Sequence, residues 1–561
     1  MEYLFKTMKK FLSWKLLLSV IVLLAVFLRF YQLGGNPPSL TWDEAAWGYN
    51  AYSLGIDGRD EFNRFLPYDY LESFGDFKPP MYAYLDIIPV KMFGLNEFAT
   101  RFPSAFFGVL TVLITYFLVK RIFPSSKQFS IFNFQFSIAE ISAFLLAISP
   151  WHILLSRAAF EANIATFFIV TGVWLFLKGI QDKKIFLVLS FVTFVLSMYT
   201  FNTTRIVAPL IGLALTIGFR REILKNKKIF IFSCLVGFLV LLPIVGFLLS
   251  PQSQLRFKEV NIFWDPKGVA VINQEIKNDN NQPWSKIIHN RRLYFAVLYA
   301  KHYLDNLSPN FLFIKGDGNP KFSVQNIGQM YLISLPFFVI GLLFLLKKKE
   351  KNWWIIPVWL LIGIIPAATA RETPHALRIE ATLPTFQIIV AYGILAVLSS
   401  KYYELSMKKI KYLLPSLIIL FYTVNVVYFL HTYFSHYAIS FSGEWQYGYK
   451  ESINYVKENM SKFDEVRVTT ELGRPYAYYL FYLNIDPKDF RQNAVVERDA
   501  FGFVGVKKFD KFIFAKDLNK EPKGNKKILY INDKYNVPEN AKVLRIFKLL
   551  NGDPILYAYT M

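Results

Sequence analysis

The sequence predicts an all-α polytopic membrane protein of about eleven transmembrane helices, followed by a small α/β domain outside the membrane. Three observations carry that reading. Of 561 residues, 54% are hydrophobic and only 19% charged, with a mean hydropathy of +0.30, whereas soluble domains hold about a quarter charged residues. Apolar runs of near-spanning length recur along the chain. Lys and Arg gather in alternate gaps between those runs.

The runs fall at 16–33, 102–119, 136–155, 161–177, 185–200, 205–219, 229–249, 328–346, 352–370, 380–399 and 412–434. Crossing a bilayer takes about 20 apolar residues, so the shorter runs need support from the charges around them. Alternate gaps at 1–15, 120–127, 178–184, 220–228, 347–351 and 401–411 together hold 23 basic and 5 acidic residues. The segment 435–561 holds 20 basic and 16 acidic residues, and everything else is balanced. The net charge of +22 is therefore concentrated on one side of the runs. That is the positive-inside pattern, with the N-terminus and the six basic gaps cytoplasmic and 435–561 outside. A nucleic-acid binder would spread its charge differently, so no nucleic-acid partner is expected.

The domain division that follows is a transmembrane domain over 1–434, with long outer loops at 34–101 and 250–327, and an extracytoplasmic α/β domain over 435–561. Within the latter, 444–460 and 474–483 read as helices, and 465–470, 511–514, 527–531 and 541–547 as strands. Two further short helices, 81–93 and 129–136, are expected at the membrane interface. Cys234 stands alone, which excludes an intrachain disulfide and any cysteine-based zinc or iron–sulfur site. No Gly-rich phosphate loop is present, so no nucleotide or organic cofactor is expected.

Residues suited to chemistry cluster in the outer loops. Thr41-Trp42-Asp43-Glu44 sets two adjacent carboxylates just beyond the first run. They can serve as a general base or hold a divalent cation, and Thr41-x-x-Glu44 also fits a helix capping box. Asp57, Asp60 and Glu61 read as turn residues. Further along, Asp76-Phe77-Lys78-Pro79-Pro80 holds an ammonium on a stiff backbone, suited to a phosphate or to snorkelling. Arg101 at the outer end of the second run is open to the same two uses. Arg157 reads as a phosphate contact or as a structural partner of Glu161, and Arg205 as a contact or a topological anchor. His375 and Arg378, three apart, would share a helix face able to meet a phosphate, sugar hydroxyls or a metal. Asp43, Glu44, Asp76 and His375 are the candidate ligands should a divalent metal ion be used.

All of these fall on the outer side of one topology that was set by Lys and Arg counts alone, which indicates a single outward-facing site. A lipid or polysaccharide transporter would share the hydropathy and charge map. Transport would favour internal repeats and charged or broken mid-span segments, whereas here the polar groups collect in the loops.

These motifs resemble the GT-C superfamily of polytopic glycosyltransferases, in the group of protein O-mannosyltransferases and aminoarabinose (lipid A) transferases. The matching features are Asp43-Glu44, Lys78-Pro79-Pro80, Arg101-Phe102-Pro103-Ser104-Ala105-Phe106-Phe107-Gly108, Ser149-Pro150-Trp151-His152 with Arg157, and Pro374-His375-Ala376-Leu377-Arg378. They cover most of 15–400. The resemblance implies a multi-pass enzyme of a bacterial plasma membrane that takes a polyprenyl-phosphate sugar as donor and a glycan, lipid or protein as acceptor. It implies Asp43 as general base, Glu44 positioning acceptor or metal, and Lys78 with Arg378 and Arg101 neutralising the lipid phosphate, with inversion at the anomeric carbon. Two departures stand out. Phe77 occupies the place where aminoarabinose transferases carry a metal-binding glutamate, and Ala46 the place of a basic residue.

Overall fold

The computed structural model describes residues 2–124, 129–131, 134–399, 413–498, 504–520 and 522–561. The basic stretch 401–411 and part of 120–127 lie outside them. The chain divides into two compact units. One comprises 1–29, 106–156 and 161–429; the other comprises 30–105, 157–160 and 430–561.

The first unit is helical and apolar. Among the described residues of the whole chain, five helices are long and apolar enough to cross a membrane: Glu97–Ile122, Glu161–Gln181, Lys227–Leu248, Glu380–Leu398 and Leu413–Phe441. A sixth span results if Ile138–Ala147 and Pro150–Ser156, bent by 54°, count as one. This corrects the expectation of eleven. Several apolar runs form helices too short to span: Ile185–Met198, Thr204–Gly218 and Ile355–Thr369. A helix of 14 residues rises only about 21 Å, against a hydrocarbon core of about 30 Å. Run length overstates helix length because the run 328–346 includes irregular residues before the helix Ser334–Lys348.

The bend has a chemical cause. Pro150 brings no N–H, and the end of the preceding helix leaves carbonyls open. Arg29, fully buried, donates to the carbonyls of Ala147 and Leu146 at 3.1 and 3.3 Å. It also meets His152 Nδ1 at 2.6 Å. The stretch 129–136, expected as an interfacial helix, is instead an antiparallel pair, Phe129–Ile131 with Phe134–Phe136. Phe-Ser-Ile and Phe-Gln-Phe alternate with the period of a strand.

The second unit contains the outer loop 34–101 and the tail. The loop forms a helix, Trp42–Asp57, a hairpin of strands Leu71–Ser73 and Asp76–Lys78, and a helix, Met81–Phe93. The tail forms a seven-stranded mixed sheet. Its strands run Lys542–Lys548, Pro554–Thr560, Ile528–Asp533, Glu465–Thr469, Phe512–Ala515, Val504–Phe509 and Val495–Arg498 across the sheet. Strand Glu465–Thr469 lies parallel to both neighbours, and it and Ile528–Asp533 are buried throughout. That fits the rule that parallel strands are covered on both faces. Helices Tyr449–Asn459 and Pro475–Tyr482 match the sequence reading, as do four of the strands. One core joins tail and loop: Val466, Val468, Phe512, Phe514, Leu529 and Ile531 pack with Ala45, Ala46 and Tyr49.

Candidate active site

The site is built on the first turn of helix Trp42–Asp57. Thr41 caps it: the Glu44 N–H donates to Thr41 Oγ1 at 3.3 Å, and the Thr41 N–H donates to Glu44 Oε2 at 2.9 Å. Gly58, at φ +73, closes the other end in the left-handed conformation. Successive residues of a helix point about 100° apart, so the two carboxylates diverge. Glu44 turns inward above Gly48, where an added Cβ would lie 2.5 Å from the Phe481 ring and from Thr100 Oγ1. Asp43 turns outward above Trp47.

Glu44 is 1% exposed and bonded to Arg101 Nε at 2.9 Å, with Arg101 itself fully buried. Glu44 Oε1 also accepts the Ala159 N–H at 3.0 Å. Arg101 donates further to the carbonyls of Leu33, Pro37 and Ser39 at 3.2, 2.8 and 2.5 Å. This pair ties the loop entrance to the start of helix Glu97–Ile122. Expected at the lipid phosphate, Arg101 instead spends its donors on loop carbonyls. Expected at the acceptor, Glu44 is held by a cap and a cation.

Asp43 is 51% exposed at its side chain, and its Oδ1 accepts a hydrogen bond from Lys78 Nζ. Lys78 is 8% exposed. It ends the hairpin strand Asp76–Lys78, whose two-residue loop, Phe74-Gly75, has φ of +62 and +77 as a type I′ turn requires. Its ammonium stands 5.2 Å from the Trp47 ring and 5.0 Å from the Phe74 ring. The lysine stem is thus packed on aromatic faces while its charge meets the exposed carboxylate. Asp76 begins the same strand, paired with Ser73.

Arg157 is fully buried; Nη2 donates to the Asn36 carbonyl at 2.9 Å and Nε to Tyr433 Oη at 3.2 Å. It orders the same loop entrance, since Asn36 in turn donates to the Tyr433 carbonyl at 2.9 Å.

The remaining candidates belong to the first unit. Arg205 donates from Nε to the Met198 carbonyl at 3.3 Å. His375 and Arg378 do not lie on a helix, contrary to expectation; 371–379 is a turn. The His375 and Ala376 N–H groups are taken by Asn306 Oδ1 at 3.0 Å and Asp317 Oδ2 at 2.6 Å, which anchors this turn to the segment 306–317. Burial and the neighbouring Arg378 charge hold the His375 imidazole well below its ordinary pKa, and its ring lies 4.9 Å from that of Phe322. Arg378 is partly buried.

The candidate ligands do not fit a metal ion. Among the described residues, no three His, Cys, Asp or Glu side chains are grouped to hold one. Asp43 already carries an ammonium, and Glu44 is shared between Arg101 and backbone N–H groups.

Glu61, read from sequence as a turn residue, is buried beside this pair. Ser73 Oγ donates to its Oε1 at 2.7 Å, and its N–H donates to Asn50 Oδ1 at 3.0 Å. Burial, aided by the Asp60 charge and opposed by the Ser73 hydrogen bond and Lys78, pushes its pKa up to about 8. Asp60 is pushed up to about 6, also by burial, against two backbone N–H bonds. Nothing in the local sequence separates these two acids from ordinary turn residues.

Residues 77–247 match a family model described as dolichyl-phosphate-mannose-protein mannosyltransferase. The fold matches the crystal structure of ArnT from Cupriavidus metallidurans bound to undecaprenyl phosphate, with a TM-score of 0.55 and 12% identity, covering 97% of this chain and 98% of that one. The chain shares the fold of ArnT. An uncharacterised protein of Aquifex aeolicus (strain VF5) is 30% identical over 182 residues, 32% of each chain. YkcB of Bacillus subtilis (strain 168), a proposed mannosyltransferase, is 27% identical over 134 residues, 24% of this chain and 17% of its own length. The chain thus spans a third or less of the curated relatives it matches. The family model takes in Lys78 and Arg101, while Asp43 precedes it.

Proposed function

We propose that the chain is an integral-membrane glycosyltransferase that moves a hexose or pentose from a polyprenyl-phosphate carrier to an acceptor hydroxyl on the outer face of a plasma membrane. The observation that carries this reading is the Asp43–Lys78 pair: an exposed carboxylate held by a buried ammonium on an aromatic floor. The binding of undecaprenyl phosphate by ArnT, which shares the fold, supports a polyprenyl-phosphate donor. In this scheme Asp43 takes the proton of the acceptor hydroxyl as its oxygen bonds to the anomeric carbon. The bond from that carbon to the phosphate oxygen breaks on the opposite side, inverting the centre. The electron pair leaves with the phosphate, where Lys78 stabilises the growing charge. Glu44, Arg101 and Arg157 position the loop that presents Asp43. No step is routed through a metal. The six basic gaps are cytoplasmic in this reading, and 435–561 is extracytoplasmic.

The test incubates purified full-length protein with polyprenyl-phosphate sugars of different identity, with and without a membrane extract as acceptor. Mass spectrometry then reads released polyprenyl phosphate. Acceptor-dependent release from one donor is the expected result; no release from any donor would overturn the proposal.

A further inference from the structure

We infer that the tail completes the phosphate site through its loop 470–474, with Arg474 as a second cation beside Lys78. This rests on the functional reading above. The loop follows the strand Glu465–Thr469, whose neighbours on both sides run parallel to it. In open α/β sheets the carboxyl ends of such strands are where ligands are met. Here that end is directed at the first outer loop. Gly473, at φ +121, has the place of a Cβ 2.9 Å from two carbons of the Trp42 indole, the residue just before Asp43. Only a glycine backbone can approach the indole that closely in that conformation.

The next residue, Arg474, lays its guanidinium 5.0 Å from the centre of the Phe74 ring. Lys78 Nζ lies the same distance from the same ring. The two cations are therefore separated by no more than twice that distance, grouped by one phenyl ring. Arg474 is partly buried rather than sunk in the core, so it differs from Arg101 and Arg157, which are wholly enclosed.

The reaction needs such a second charge. A polyprenyl-phosphate sugar is a phosphodiester with one negative charge, and the polyprenyl phosphate that leaves is a monoester approaching two. Lys78 is already hydrogen-bonded to Asp43. A guanidinium adds a planar fork of donors suited to phosphate oxygens. The tail thereby recognises the leaving phosphate, not the sugar or the acceptor.

The experiment titrates full-length wild type, Arg474→Gln, Arg474→Lys and Gly473→Ala with a polyprenyl monophosphate and with the matching phosphate-free polyprenol, by native mass spectrometry. Losing a charge-assisted contact is expected to weaken monophosphate binding by roughly tenfold in Arg474→Gln. Polyprenol binding should stay unchanged. Arg474→Lys keeps the charge and should remain within about threefold of wild type, while Gly473→Ala should fall between. Arg474→Gln binding the monophosphate as well as wild type would overturn the inference while leaving the functional reading intact. So would an equal loss for polyprenol and monophosphate in both Arg474 variants, which marks a packing role. A wild type that does not distinguish monophosphate from polyprenol would overturn the functional reading itself.

Discussion

Asp43 and Glu44 are neighbours in sequence, both acidic, each paired with a cation, yet they occupy opposite environments. The Asp43–Lys78 pair has a half-exposed carboxylate, whereas the Glu44–Arg101 pair is enclosed on both sides. One helical step of rotation makes the difference. It shows how an acidic dipeptide at a helix start divides its work: one acid anchors the cap and the loop, and the other is presented to solvent with its partner already in place. An interior ion pair is dear to break because the surviving partner is left charged and buried; an exposed carboxylate can be neutralised at little structural cost.

The largest expected effect follows from that contrast. Arg101→Ala or Glu44→Ala should destabilise the fold by about 3–5 kcal/mol, seen as a collapse in melting temperature or in the yield of folded protein. Asp43→Asn should leave the melting temperature within a few degrees of wild type while transfer falls by roughly 10²–10⁴-fold. If Asp43→Asn melted as early as Glu44→Ala, the division of labour would be wrong. Gly48→Ala sharpens the comparison from the packing side. Its Cβ would meet the Phe481 ring and Thr100 at 2.5 Å, and overpacking of that kind costs about 1–3 kcal/mol. Thermal denaturation should find it between the two acids' variants.

The smallest effect concerns Glu61. Its folded pKa of about 8 lies above the ordinary value near 4.5, so the folded state holds the proton more tightly than the unfolded chain does. The stability it confers is present at low pH and is lost as pH rises from about 4.5 towards 8. Glu61→Gln mimics the protonated form and should flatten the pH dependence of melting across that window, by a few degrees at its upper end. An unchanged pH profile would contradict the buried, protonated assignment.

Much of this was legible in the sequence, and for physical reasons. Hydropathy and charge segregation mark the membrane class. Thr41-x-x-Glu44 announces its capping box, and the elements 81–93, 465–470 and 474–483 are fixed by local pattern. Span number was not legible, because apolar composition does not say where a helix stops. The fates of Asp43 and Glu44 were not separable, since spacing shows that they diverge but not which one faces the tail. Gly473 and Arg474 were silent for the same reason: Trp42 and Phe74, which surround them, lie hundreds of positions away. His375 and Arg378 misled because 371–379 forms a turn anchored by Asn306 and Asp317, residues 69 and 59 positions away.

The most direct measurement compares wild type with Asp43→Asn for acceptor-dependent release of polyprenyl phosphate, alongside melting curves and lipid binding for both. Release lost in Asp43→Asn, with melting and lipid binding preserved, is the predicted result. Equal release from the two proteins would contradict the assignment of Asp43 as the base.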